Sequence, residues 1–277
     1  MKKIRAVLMD MDGTLLGTSQ VAVSMKNMAA VQKAIKMGIK VIPCTGRVFD
    51  MMPPQLLTQE GLRYFITSHG ARVYDRDTGK SIYEDLIPAE EGAQLMEMLE
   101  GKGLYNEVAA DATIYFEKSV TEPFDMNVVP VHHVWYVRDN CHTAVEKPSA
   151  YFRENNIGLE KMNIYGIPAE MQEELYDAIT ATGSIGHTRP GAGPNLEFLH
   201  KGLDKLKAVD VVLKELGISY EETLAIGDSS SDLEIIKACG VGIAMGNAPD
   251  NIKAAADDVT DLNTEDGLAK AFEKYLF

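Results

Sequence analysis

The sequence predicts an α/β protein: a doubly wound, Rossmann-like parallel-sheet core interrupted by an inserted α+β domain. Three observations carry that expectation. Short apolar runs alternate with helical stripes at both ends of the chain. Those runs are continuous rather than alternating, as strands covered on both faces are. The middle, from about residue 82 to 189, changes texture: it holds four of the six histidines, the only Trp and most of the aromatics.

Ala6-Val7-Leu8-Met9 is the first strand, and Asp10-Met11-Asp12-Gly13-Thr14 stops it with a turn. Ser24 caps a helix in which Met25, Met28, Ala29, Gln32 and Ile35 recur about once per turn, and Gly38 ends it. Residues 39–43 form the next strand, completing a βαβ unit whose crossover is right-handed and whose strands are parallel. Near the C-terminus the alternation returns. Leu203, Leu206, Val209, Leu213 and Leu216 make a helical stripe closed by Gly217; 224–226 is a strand, 233–239 a short helix and 241–244 a strand. Helices over 249–256 and 267–276 flank a short strand at Val259. In the middle, 90–99 and 169–181 read as helices, and 113–116, 133–137 and 161–165 as strands. Residues 1–82 and 190–277 are therefore assigned to the core and 83–189 to the insertion, with Pro190-Gly191-Ala192-Gly193-Pro194 as the connector back.

Composition narrows the function. With 277 residues, 45% hydrophobic and 25% charged, the chain is ordinary globular material, which excludes collagen, coiled coil and disorder. A net charge of −14, with no run of Lys and Arg, argues against nucleic acid, where binding needs clustered cations. Cys44, Cys141 and Cys239 show no CxxC or Cys/His ligand spacing, so zinc is not expected and a reducing, cytoplasmic setting is. No stretch approaches the roughly 20 apolar residues of a membrane span. Gly240-Val241-Gly242 with Gly246 has the wrong spacing for a dinucleotide loop.

Five polar positions follow the ends of predicted parallel strands: Asp10, Asp12, Thr45, Asp228 and Asp232. Ligands of open α/β sheets bind at that edge, so these groups should converge, and Lys205 at a helix start can bring a cation to the same rim. Two carboxylates about 4 Å apart repel by roughly 4 kcal/mol at an effective dielectric near 20. A divalent cation removes that cost. Oxygen ligands without His or Cys favour Mg²⁺, with Asp10 and Asp228 as its carboxylates. The Thr45 hydroxyl and the amides of Gly46 and Arg47 suit an oxyanion at a helix N-terminus.

Asp10-Met11-Asp12-Gly13-Thr14-Leu15 resembles the first motif, DxDGTL, of the haloacid dehalogenase-like hydrolases. Cys44-Thr45-Gly46-Arg47 resembles their second in its Cof-type form. Leu196-Glu197-Phe198 followed by Lys201-Gly202-Leu203-Asp204-Lys205 is similar to the segment carrying the third-motif lysine, and Gly227-Asp228-Ser229-Ser230-Ser231-Asp232 to the fourth, GDxxND. Met245-Gly246-Asn247-Ala248 extends the match. The resemblance implies a Mg²⁺-dependent phosphatase for small phosphorylated metabolites in which 83–189 is a C2-type cap setting specificity; a monomer or weak homodimer is expected. Asp10 would be the nucleophile and Asp12 the general acid and base. Asp10, Asp228 and the Asp12 backbone carbonyl would hold the metal. Thr45, Gly46, Lys205 and Ser231 would bind phosphate or substrate, with Asp232 and Asn247 in support.

A sugar phosphate is the first expected substrate and a phosphorylated cofactor such as pyridoxal phosphate the second. Glu117, His133, Trp135 and Arg138 are the cap candidates for recognising it. Two departures stand out: Ser231 replaces the family's Asn, and His69-Gly70-Ala71 replaces its N-G-A, bringing a histidine to the rim. A phosphomutase, a phospho-accepting receiver and a non-catalytic sugar-phosphate-binding protein are the rival readings.

Overall fold

The computed structural model describes residues 3–121, 133–134, 136, 142–181, 185–188 and 195–277. Among them run β1 (Ala6–Met9), β2 (Lys40–Pro43), β3 (Tyr64–Thr67), β4 (Arg72–Asp75), β5 (Lys80–Glu84), β6 (Tyr105–Ala110), β7 (Thr113–Glu117), β8 (Thr143–Val145), β9 (Lys161–Tyr165), β10 (Ile185–Thr188), β11 (Leu196–His200), β12 (Thr223–Gly227), β13 (Val241–Ala244) and β14 (Asp258–Val259). The chain divides into two compact units. One comprises Met1–Arg47, Met52–Tyr83 and Asp204–Phe277, the other Val48–Met51 and Glu84–Leu203. Among the described residues no helix is long and apolar enough to cross a membrane.

The first unit is built on a five-stranded sheet in the order β14-β13-β12-β1-β2, parallel throughout. Side chains alternate across it. Ala6, Leu8, Ile42, Cys44 and Ala225 pack on one face with Val209, Val212 and Leu213 of the Lys205–Leu216 helix and with Ile235 and Ile236 of Leu233–Ala238. Val7, Met9, Val41, Leu224 and Ile226 alternate to the other face and are equally buried. The Met25–Lys36 helix touches β2 and packs along Gly267–Tyr275. Its N-cap is Ser24, whose hydroxyl accepts from the Asn27 amide at 3.1 Å.

Register decides where the site lies. Met9 stands opposite both Ile226 and Pro43, so β1 and β2 end level, β12 runs one residue further to Gly227, and the residues that follow share one rim. The edge continues through a Cys44–Ile66 bridge, with the Thr45 amide donating to the Ile66 carbonyl at 2.9 Å. β3, β4 and β5 then form a separate three-stranded sheet. The helix expected from Leu203 begins at Lys205, because the Asp204 carboxylate caps it by accepting from the Leu206 amide at 2.9 Å.

The second unit holds a six-stranded sheet, β10-β11-β9-β6-β7-β8. Its pairs are antiparallel except β7 with β8. Val108, Ala110, Met162, Ile164, Leu196 and Phe198 cover one face together with Leu95, Met96 and Leu99 of the Ala89–Leu99 helix and Phe152 of Pro148–Asn155. Tyr105, Ala109, Ile114 and Phe116 make a second cluster with Val48, Met51 and Tyr136. β11, which the sequence reading placed with residues 190–277, is a strand of this sheet.

One expectation fails here. Residues 133–137 read as a strand, yet Val134 and Tyr136 are helical. The β-branched and aromatic composition suggested a strand, but His133 and Tyr136 are both buried. Residues three apart share one side of a helix and face opposite sides of a strand, so tertiary burial overrides propensity. His132, Trp135, Arg138, Cys141 and the 190–194 connector lie outside the described residues.

Candidate active site

Asp10 follows β1, and its amide donates to the Ile226 carbonyl at 3.0 Å. Its side chain enters a space already bordered by Asp228, just after β12. Asp10, Asp228 and Asp232 each bring a carboxylate oxygen within 4.8 Å of the others'. Burial, then the negative charge of Asp232, pushes the Asp10 carboxyl well above its usual range, with Lys205 pulling the other way. Burial also raises Asp228, to about 6, against the hydrogen bond it receives from Thr14. Asp232 behaves oppositely: burial would raise it, but Lys205 and Ser229 hold it below the ordinary value.

These pairs are short. Lys205 Nζ donates to Asp232 Oδ1 at 2.9 Å, and Asp232 Oδ2 accepts the Ser229 amide at 3.1 Å and hydroxyl at 2.9 Å. Burial alone would lower Lys205, but Asp232 and Asp10 keep it above its usual value, so it stays a cation. Asp228 is held from two sides, by the Thr14 hydroxyl at 3.1 Å and by Asn247 Nδ2 at 3.2 Å. The same Asn247 nitrogen reaches the Gly13 carbonyl at 2.8 Å. Gly13 has φ +82°, and a Cβ there would lie 2.2 Å from Asp228 Oδ2, so this turn excludes a side chain twice over.

Asp12 does not join the carboxylate cluster. Both its oxygens accept from the Arg47 guanidinium, Oδ2 from Nε at 2.8 Å and Oδ1 from Nη2 at 2.5 Å. The Arg47 amide, expected to face an anion, donates instead to Thr45 Oγ1 at 3.1 Å. The Gly46 amide has no hydrogen-bond acceptor among the described residues and is left as a donor in that loop. His69 does reach the rim. Its amide donates to the Thr45 carbonyl at 3.0 Å, and its ring lies so close that a Cβ on Gly46 would sit 2.5 Å from Nε2. Ser68 and His69 adopt φ +49° and +58° to make this turn, an uncommon conformation for such residues.

Of the sequence-predicted residues, the structure gathers Asp10, Asp228, Asp232 and Lys205, places Thr45 and Gly46 on the neighbouring strand end, and seats Asn247 against Asp228. Ser231 is exposed, its hydroxyl 2.8 Å from Ser229 Oγ. Cys44 is buried and burial pushes its thiol up to about 12, which makes it core rather than nucleophile. Sequence reasoning missed the Arg47 side chain and the Thr14 contact; both residues sit inside the quoted motifs, but their partners are 35 and 214 positions away. In the second unit, Glu107 is a buried hub accepting from Tyr105 and Tyr165 hydroxyls at 3.1 Å each and meeting His133 Nδ1 at 2.6 Å. Glu117 is spent locally on Ser119 at 2.6 Å.

The donor set fits a divalent cation. Three carboxylates share a confined, partly desolvated space with one lysine, and two of them are strained toward protonation by burial. A hard cation relieves that strain, and all-oxygen donors suit one. 

Known proteins resemble the chain over nearly its whole length. The family model described as haloacid dehalogenase-like hydrolase matches residues 7–272. Phosphatase YwpJ of Bacillus subtilis (strain 168) is 28% identical across 99% of this chain and 100% of its own. From the same organism, the 5-amino-6-(5-phospho-D-ribitylamino)uracil phosphatase YcsE is 28% identical across 99% of this chain and 96% of its own. The crystal structure of a haloacid dehalogenase-like hydrolase from Bacteroides thetaiotaomicron covers 98% of this chain and 99% of that one, with 28% identity and a TM-score of 0.80. With nearly its whole length matched, the chain belongs to the haloacid dehalogenase-like hydrolases, among relatives that are phosphatases.

Proposed function

We propose that this phosphatase is Mg²⁺-dependent and hydrolyses phosphate monoesters of small metabolites through an aspartyl-phosphate on Asp10. The observation that carries the reading is the convergence of Asp10, Asp228 and Asp232 beside the Lys205 ammonium at one sheet edge. Asp10 and Asp228, with the Asp12 carbonyl, are the residues to hold the cation, and Asp232 lies within reach of the same point. When bound, the cation neutralises carboxylate charge and polarises the phosphoryl group.

In the first step an Asp10 oxygen attacks phosphorus and the bond to the leaving oxygen breaks, with Asp12 delivering a proton to that oxygen. In the second, water attacks phosphorus, Asp12 takes the water's proton, and the acyl-phosphate bond breaks to return Asp10 and release phosphate. Lys205, the Gly46 amide and the Thr45 hydroxyl hold the equatorial oxygens, a fixed set of donors aimed at developing charge. Ser231, turned to Ser229, is left out of that set.

The second unit is read as the cap that recognises the leaving alcohol. A phosphorylated sugar or sugar alcohol is the favoured class, which suits the phosphoribityl substrate named for YcsE. The test is a panel of phosphorylated metabolites and p-nitrophenyl phosphate, with Mg²⁺ and with chelator. Turnover that chelation stops and Mg²⁺ restores, with a hydroxylamine-sensitive phosphoenzyme missing in Asp10→Asn, is the expected result. Binding without turnover, or phosphate returned to a second hydroxyl, overturns it.

A further inference from the structure

The Arg47 side chain, 9% exposed, reaches two separate acceptors through its Nε and Nη2. Nε and Nη2 grip both oxygens of Asp12, and Nη2 also reaches the Gln20 carbonyl at 2.7 Å. Asp12 and Gln20 belong to one segment after β1, closed by bridges from Asp12 to Leu16 and from Leu16 to Val23. Its far end is pinned by the Gln55 amide, which accepts from the Val23 amide and donates to the Val23 carbonyl, each at 3.0 Å. Arg47 pins the near end. It is itself fixed through its amide on Thr45 Oγ1 at 3.1 Å and its carbonyl, which accepts from the Ser68 amide at 2.9 Å.

We propose that Arg47 is a positioning residue for the acid–base work of Asp12, and that it acts through this carboxylate rather than by binding phosphate. The proposal rests on the reading of Asp12 given above. A planar fork matching a carboxylate with two parallel N–H bonds fixes the plane of that carboxylate as well as its distance, which a lysine's single point of charge does not. Asp12 is the more accessible partner, 42% exposed against 9% for Arg47, so it is the carboxylate that faces incoming substrate and the guanidinium that stays behind it. The Gln20 contact makes the same fork a tie between the acid–base group and the loop beside it. During proton delivery one Asp12 oxygen carries the proton to the leaving oxygen while the other remains on Arg47.

The experiment compares kcat and KM of wild type, Arg47→Ala, Arg47→Lys, Asp12→Ala and the Asp12→Ala/Arg47→Ala pair, using p-nitrophenyl phosphate and an alkyl phosphate such as glycerol phosphate. A residue acting through the general acid matters most when the leaving group is poor. Arg47→Ala is expected to lower kcat for the alkyl ester by about 100-fold, the lower end of a general acid's contribution, and for the nitrophenyl ester by no more than about tenfold. In the Asp12→Ala background it should cost nothing further. Equal losses with both esters, a rise in KM at unchanged kcat, or losses that multiply in the double variant each overturn the proposal. If Arg47→Ala does not fold by circular dichroism, Arg47→Lys carries the same comparison. Equal losses for Asp12→Ala itself would instead fault the assignment of Asp12, a different failure from one confined to Arg47.

Discussion

Lys205 Nζ lies 2.9 Å from Asp232 Oδ1, with both side chains more than nine-tenths buried. The ammonium also feels Asp10, so one buried cation stands between a structural partner and the proposed nucleophile. Removing one member of such a pair leaves an uncompensated charge and costs about 3–5 kcal/mol. Lys205→Met is therefore expected to destabilise by that order and to stop turnover. Adding Asp232→Asn should recover much of the stability and none of the activity. Urea unfolding of Lys205→Met, Asp232→Asn and the double variant checks this, and additive losses in the double variant would show that the pair is not coupled.

The carboxylate cluster gives the metal-free protein a pH dependence of definite sign. Asp228 is raised to about 6 from an ordinary 3.8, and Asp10 is raised too. A carboxyl raised in the folded state destabilises that state above the folded value, and the penalty is relieved as pH falls through it. The thermal midpoint of chelator-treated protein should rise between pH 8 and pH 5.5, and the extra stability conferred by Mg²⁺ should shrink over the same interval. Asp10→Asn, besides abolishing turnover, should melt at or above the metal-free wild type at pH 8. A lower melting temperature would show that the burial cost is already offset without the metal.

The Thr45 loop depends on the absence of a side chain at Gly46. A Cβ there would stand 2.5 Å from the His69 ring, and the backbone of that ring already occupies the left-handed region at φ +58°. Gly46→Ala should push the Ser68–Gly70 turn away and misplace the Gly46 amide donor. Loss of a single oxyanion donor costs about 100- to 1,000-fold in kcat, and a drop of that size with p-nitrophenyl phosphate is expected. Gly46→Ala/His69→Ala, which removes the clash, should regain part of it; no regain would mean that the amide is displaced by something other than the ring.

What could be read from the chain was whatever depends on short-range pattern. β1, the Ser24 cap and the strand at β13 follow from apolar runs and capping chemistry, and Asp10, Asp228 and Lys205 could be placed because each sits at the end of such an element. The partner of a motif residue is another matter. Arg47 looked like a backbone contributor because nothing local shows that its fork turns to Asp12 across two strand ends. Tyr136 read as strand because its composition favours one, whereas its burial in a cluster with Tyr105, Ile114 and Phe116 depends on residues distant in the chain. Leu196-Glu197-Phe198 carried a motif of the core, yet its ladder partners on β9 lie in the other unit.

That sheet supplies the last test, since Glu107 meets three partners at once with its side chain 2% exposed. Burial alone would raise its carboxyl, but the charge and hydrogen bond of His133, then Lys161 and Tyr105, hold it below the usual value. A depressed carboxyl stabilises above its unfolded value and loses that contribution as pH falls through the folded one, so the part of this network carried by the Glu107 charge is lost on the acid side. Glu107→Gln keeps the volume and replaces one acceptor oxygen by a donor, facing the Tyr105, Tyr165 and His133 groups with a group that cannot serve them all. A loss of about 1–3 kcal/mol follows from one unsatisfied buried group. Calorimetry at pH 7 should show it, and the difference should shrink as the pH is taken below the ordinary carboxylate value of 4.5 and on through the depressed value of Glu107. A difference that stays constant with pH would mean that the carboxylate charge contributes nothing to holding His133 on the sheet.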